Sequence, residues 1–525
     1  MKSTAVIVGL AATATLTSVA FAKHQLDVSH EPITALFAAD GTPSHPHFLA
    51  SRWETSELPL DFRKRHLSGA GSKRSVKACR SENAKAHSNK EHDHDHHRGH
   101  YKHDTKHRGQ HAIHTTLDHL GHKVNSWIDG SKYHDHSLGI VINKATDNSA
   151  DNEWLVNVGF GTRPQKLKMV FDTGSPDTWV YSPACCYANN HTFFDPAKSS
   201  TYHNRTVTNG TAQAAPAATP AQPWSSTYGS GSSVSGYVGL DDFTFGQQKL
   251  KVDQLPLALT TNITGSRASR GMEGLIGLSA GSGSYTKGGW TTPFEAMSSR
   301  GLINQTYMTA TLIKANRKTG KGGGGRYTFG QVDDDHLEGN ITWTRALSPF
   351  LWAGYFDKMS MGDTLLAAAP GTNDRPIRFM VDTGSAVLYL PPPIVKQINS
   401  QIAGSYIANA SSGLAFPYLI PCDTGLKRHE KKFNNPTFSL QVGGTNFSIP
   451  KEDYVFYANQ PVPAAVAGGQ ENMCYSAFQT GPAQISIIGL SFIKNHVVVF
   501  DQGGRNLTAS ARRIGLGQRS DVRYD

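Results

Sequence analysis

Two stretches of this 525-residue chain set out the same chemistry in the same order. Residues 171–180 read FDTGSPDTWV and residues 381–390 read VDTGSAVLYL, each behind an apolar run. An apolar strand delivers Asp172, and another Asp382, to the edge of a packed core. Gly174 and Gly384 let the backbone turn tightly enough for an amide to approach the carboxylate. Thr173 and Thr383 offer hydroxyls that can bond to the opposite loop. Ser175 and Ser385 can donate to the carboxylate beside them and fix its rotamer. One such loop holds one carboxylate; two facing loops make a symmetric pair. Carboxyls about 3 Å apart cannot both ionise, so they share a proton and their pKa values split. The ionised member can take a proton from water while the other donates to a carbonyl, which is general acid–base hydrolysis without a metal or covalent intermediate.

The rest of the sequence describes what must hold such loops. With 51 Gly, 26 Pro and short Val/Ile/Phe/Tyr/Thr runs, the composition predicts strands and turns, an all-β chain. At this length it can bury one large core or two medium ones. MVFDTGS is followed by GLIGLS at 274–279, and FMVDTGS by IIGLS at 487–491. That period is far too long for a solenoid and fits two similar lobes. Strand-like texture begins at about residue 139 with LGIVINK and NEWLVNVGFG. GTAQAAPAATPAQP at 210–223 reads as a surface loop, and KTGKGGGGR at 318–326 as a mobile connection into the strand YTFG.

Residues 1–22 read as a secretory signal peptide ending in Ala20-Phe21-Ala22, with no second span and no lipid-anchor tail. Nine N-x-[ST] sequons, from Asn190 to Asn506, agree with export. Residues 23–138 hold 19 of the 24 histidines, few large aliphatics and the dibasic pairs Lys64-Arg65 and Lys73-Arg74. Such a segment buries too little apolar surface to offset chain entropy, and reads as a partly disordered, His-rich prosegment. Of the five cysteines, four would pair in an oxidising compartment and Cys79 would be the odd one. Metal-ligand spacing such as C-x-x-C is absent from the sequence.

From about residue 139 to 517 the sequence resembles the pepsin-like, two-lobed aspartic endopeptidases. FDTGSPDTWVYS is similar to that family's first active loop, STYGSGSSVSGYVGLDDFTFG to its flap hairpin, and GLIGLS and IIGLSFIKNHVVVFD to the crossings beneath the loops. The resemblance implies an all-β fold with the cleft between an N-terminal lobe, 139–343, and a C-terminal lobe, 344–525. It implies that Asp172 and Asp382 form the dyad and that Tyr228 closes over substrate and bonds to Trp179. By the same resemblance Gly229, Ser230, Gly384 and Ser385 bond the extended peptide backbone, and Cys422 pairs with Cys474. The partners implied are protein or peptide substrates and the chain's own prosegment as inhibitor, in a monomer with no cofactor, metal, nucleic acid or membrane anchor. The destination implied is extracellular or vacuolar.

The sequence departs from the family in several places. Cys185 and Cys186 are adjacent where relatives often carry two cysteines a few residues apart. Leu490 follows the glycine of the second crossing where the family usually has an acid, which predicts a pH optimum displaced from that of strongly acid-loving relatives. Residues 139–525 hold 33 Lys+Arg against 27 Asp+Glu, so the mature part is basic. Below about pH 6 the histidines of the prosegment become cationic and would repel a basic enzyme. That predicts acid-triggered release; a plain hydrophilic tract and a zinc or copper store are the competing readings. For the whole chain the competing readings are a catalytically inactive peptide-binding homologue and a His-rich metal-binding secreted protein.

Overall fold

The computed structural model describes residues 140–147, 151–185, 191–208, 211–214, 221–229, 231–264, 271–281, 290–368, 378–409, 414 and 416–524. The segments read as signal peptide and His-rich prosegment, Cys79, Cys186, Ser230 and the sequons at Asn190 and Asn209 lie outside the described residues.

As the composition predicts, the fold is almost entirely β. Fifteen strands form one sheet, and three smaller sheets of five, four and four strands belong to the second half of the chain. The large sheet joins the two halves. Tyr307–Ile313 of the first half pairs antiparallel with Val497–Asp501 of the second, which pairs in turn with Arg513–Arg519. One face of these strands is apolar and buried, with Met308, Ala310 and Leu312 beside Val498, Phe500, Ile514 and Leu516. Trp343, where the sequence divides the lobes, lies within the strand Leu337–Arg345, and Arg513 sits 4.4 Å over its ring.

The long-period repeat becomes two copies of one arrangement. Strand Gln165–Asp172 runs parallel to Gly274–Gly277, with Gly277 opposite Asp172, and Gly274–Gly277 also pairs antiparallel with Trp179–Tyr181. In the second half Arg378–Val381 runs parallel to Ile485–Ile488, and Ile487 pairs with Tyr389 of the returning strand. In each copy an apolar strand ends at the aspartate, the chain turns and comes back, and a crossing strand fills the space between. The crossings thus lie where the resemblance places them.

Two local expectations are refined. The strand YTFG begins earlier, at Gly324, because the glycines of 324–325 pair with Ala145 and Thr146. Part of the Ala/Pro stretch is ordered as a hairpin, Thr211–Ala214 on His203–Thr208. Two bridges among four cysteines is also corrected: among the described residues Cys422–Cys474 is the one disulfide, and Cys185 is a free thiol. It is buried in a cluster with Trp179, Trp224 and Trp290.

Candidate active site

Asp172 ends the strand Gln165–Asp172, and Asp382 follows the strand Arg378–Val381; they are 3% and 8% exposed. Each carboxylate is held by its own loop. The Gly174 amide donates to Asp172 Oδ1 at 2.8 Å and Ser175 Oγ to Oδ2 at 2.6 Å. In the second loop the Gly384 amide donates to Asp382 Oδ1 at 2.8 Å and Ser385 Oγ to Oδ2 at 2.7 Å.

The threonines lock the loops to each other. The Thr173 amide donates to Thr383 Oγ1 at 3.1 Å and the Thr383 amide to Thr173 Oγ1 at 3.0 Å. Each hydroxyl donates onward across the interface, Thr173 to the Val381 carbonyl at 3.0 Å and Thr383 to the Phe171 carbonyl at 2.6 Å. Every expected residue of both tetrapeptides therefore converges on one buried point. The glycines show how close the loops lie: a Cβ on Gly174 would sit 2.6 Å from both Asp382 oxygens, and one on Gly384 2.5 Å from Asp172 Oδ1.

Asp382 shares a hydrogen bond with Asp172 and is pushed up to about 7, first by burial and then by the Asp172 charge. The bonds from Ser385 and Gly384 pull the other way without overcoming it. A carboxyl that keeps its proton near neutrality beside a second carboxyl is the acid–base pair that the loops predict.

Over the first loop stands a hairpin of Gln222–Thr227 and Ser233–Phe245, with Thr227 opposite Ser233. It turns through Tyr228, whose amide donates to the Ser232 carbonyl, and Gly231, at φ +79°. Trp179 Nε1 donates to Tyr228 Oη at 2.7 Å, as the resemblance implies. Nothing lies within 4 Å of where a Gly229 Cβ would be, so the tip is open on that side.

Sequence reasoning missed several residues that hold the site. The Leu278 amide donates to the Asp172 carbonyl and the Ser279 amide to the Ser175 carbonyl; in the second half the Leu490 and Ser491 amides serve Ser385 and Ala386. The recurring Gly-Leu-Ser was the available signal. Tyr327, fully buried with its phenol pushed up by that burial, bonds to Thr383. Nothing in its strand marks it.

A cavity of about 310 Å³ elsewhere is lined by Asp151, Lys314, Arg317, Glu452, Asp453 and Lys494, and by none of the residues above. Its charges are already engaged, Lys494 with Asp151 and Asp453, Lys314 with Glu452 and Asp453, and Arg317 on main-chain carbonyls. Among the described residues no group of three or more His, Cys, Asp or Glu converges to hold a metal, and no helix is long and apolar enough to cross a membrane.

Residues 153–512 match the family model of the eukaryotic aspartyl proteases. The chain is 30% identical over 384 residues to rhizopuspepsin of Rhizopus chinensis, covering 73% of this chain and 83% of the relative. It is 26% identical over 397 residues to pepsin A of Rhinolophus ferrumequinum, covering 73% and 88%. Against vacuolar protease A of Aspergillus fumigatus the identity is 28% over 369 residues, covering 68% and 78%. The matched span contains both aspartate loops and the hairpin between them: the chain belongs to the eukaryotic aspartyl proteases and is an aspartic endopeptidase.

Proposed function

We propose that the chain cleaves internal peptide bonds through one water held between Asp172 and Asp382. The observation that carries this reading is the convergence of two carboxyls held alike by facing loops, so close that a Cβ on Gly174 would meet both Asp382 oxygens and one on Gly384 would meet Asp172; burial and then the Asp172 charge push Asp382 up to about 7. As the water oxygen attacks the scissile carbonyl, its proton goes to the Asp172 carboxylate and the Asp382 proton goes to the carbonyl oxygen. When the tetrahedral diol collapses, the Asp172 proton passes to the departing nitrogen and Asp382 regains its own from the diol hydroxyl. Neither carboxyl forms a bond to carbon.

Substrate binds as an extended strand, its main chain bonded by Gly229 and Ser230 from the hairpin and by Gly384 and Ser385 from the second loop. The hairpin then excludes water and opens to release product. The N-terminal lobe is 139–343 and the C-terminal lobe 344–525. Residues 1–22 direct export, and 23–138 inhibit the enzyme as a monomeric zymogen until acid releases them. The sequons at Asn262, Asn304, Asn340, Asn409, Asn446 and Asn506 are exposed, which supports passage through the secretory pathway to the exterior or a vacuole.

The test is cleavage of an unfolded protein substrate by the activated enzyme. Asp172→Asn and Asp382→Asn are each expected to lower the rate by about 10³-fold or more at unchanged fold. Activity surviving either substitution sinks the reading.

A further inference from the structure

The hairpin is tied to the first active loop at a second place, through a buried carboxyl. Asp177, five residues beyond Asp172, is buried at 4% exposure, and its Oδ2 accepts a 3.1 Å bond from Trp224 Nε1. Trp224 lies in the ascending strand of the hairpin, Gln222–Thr227, four residues before Tyr228. It too is buried, in one cluster with Trp179, Tyr228 and Trp290, with the Trp290 ring centroid 6.1 Å away.

The loop end of this tie cannot move far. The crossing strand Gly274–Gly277 presses on the backbone of 176–177 so closely that a Cβ on Gly277 would collide with the Pro176 carbonyl carbon and stand 2.5 Å from the Asp177 nitrogen. Thr178 is fixed on both sides, its Oγ1 accepting from the Gly277 amide and its carbonyl from the Ala258 amide. A buried carboxylate is costly unless hydrogen-bonded, and its bond to an N–H donor is stronger than a neutral one. A carboxylate clamped at the base, receiving an indole from the stem of the hairpin, acts as an anchor.

We propose that Asp177 is a positioning residue for substrate binding: through Trp224 it sets the height and register of the hairpin over the two aspartates. The Trp179–Tyr228 bond is neutral and lies at the tip, where opening must occur; the Asp177–Trp224 bond holds the stem while the tip moves. The inference rests on the proposed function, because it matters only if the hairpin amides bind the peptide.

The test compares Asp177→Leu, Asp177→Asn, Trp224→Phe and the double variant Asp177→Leu/Trp224→Phe, on a peptide long enough to pass beneath the hairpin. Asp177→Leu and Trp224→Phe are each expected to raise KM about tenfold while kcat changes less than about threefold. Asp177→Asn, which keeps an acceptor oxygen, returns KM to within about threefold of the unaltered enzyme, and the double variant is no worse than either single one. Multiplicative effects in the double variant, an unchanged KM in Trp224→Phe, or equal losses in kcat with KM untouched would overturn the proposal. Should Asp177→Leu not fold, Trp224→Phe and Asp177→Asn decide alone, the first raising KM and the second sparing it. An unaltered enzyme that cleaves nothing contradicts the proposed function; one that cleaves while the variants match it contradicts only this inference.

Discussion

The first and second aspartate loops carry the same four residues and the same internal bonds, yet their surroundings differ. The strand leading to Asp172 belongs to the fifteen-stranded sheet, and the hairpin stands over its loop. The strand leading to Asp382 belongs to a separate five-stranded sheet, with the short helix Leu490–Ile493 beside the loop and the buried Tyr327 bonded to Thr383. Duplication thus builds a geometry that is nearly two-fold, while the neighbours, which are not duplicated, place the hairpin over the first loop alone.

The glycines test the symmetric half of that comparison and should give the largest effects. A Cβ at 174 points at Asp382 and one at 384 points at Asp172, at nearly the same distance. Gly174→Ala and Gly384→Ala should therefore be equally damaging, each lowering kcat by about 10²-fold through displaced carboxyls. Steady-state kinetics on folded protein reads this directly. If one variant were active within a few-fold of the parent, the loops would not face each other as closely as described.

The threonines test the asymmetric half. Thr173→Val leaves the Val381 carbonyl and the Thr383 amide without their partner. Thr383→Val strands the Phe171 carbonyl and the Thr173 amide, and takes the Tyr327 phenol's partner as well. Each buried group left unsatisfied costs about 1–3 kcal/mol, so Thr383→Val should be the more destabilising by about that amount. Urea unfolding midpoints compare the two, and Thr→Ser at either position should restore most of the loss. Equal costs would remove Tyr327 from the account.

These contrasts also mark what was legible in the sequence. The tetrapeptides were readable because each is a short run of residue types whose chemistry constrains its neighbours; the crossings, the hairpin tyrosine and the Cys422–Cys474 pair came from the family resemblance. Tyr327, Trp224 and Asp177 were not: each meets its partner across tens of residues, and neither periodicity nor spacing encodes that meeting. The same holds for the central sheet, where Tyr307 pairs with Asp501. Redox compartment alone predicts that four cysteines pair but names no partner for Cys185, which the structure leaves a buried thiol packed among aromatic rings.

A last contrast separates Asp382 from a buried group outside the site. Burial pushes Asp382 up to about 7 from 3.8, so its share of stability is complete below pH 3.8 and is lost as pH rises through 7. His496, stacked on Phe492 at 4.2 Å, is driven the other way, from 6.5 down to about 4, chiefly by burial. Its share is complete above 6.5 and is lost as pH falls through 4. Between about pH 4 and 6.5 the two one-proton slopes oppose and cancel, so together they should leave the parent's stability nearly flat across that window. Asp382→Asn removes the falling slope, so stability should climb with pH across that window, whereas His496→Gln removes the rising slope and should leave stability declining. Urea unfolding in the cold, where self-cleavage is slow, can follow midpoints from pH 4 to 8. Parallel curves for the parent and Asp382→Asn would mean that the second aspartate does not hold its proton in the folded enzyme, and the division of roles between the two loops would fail with it.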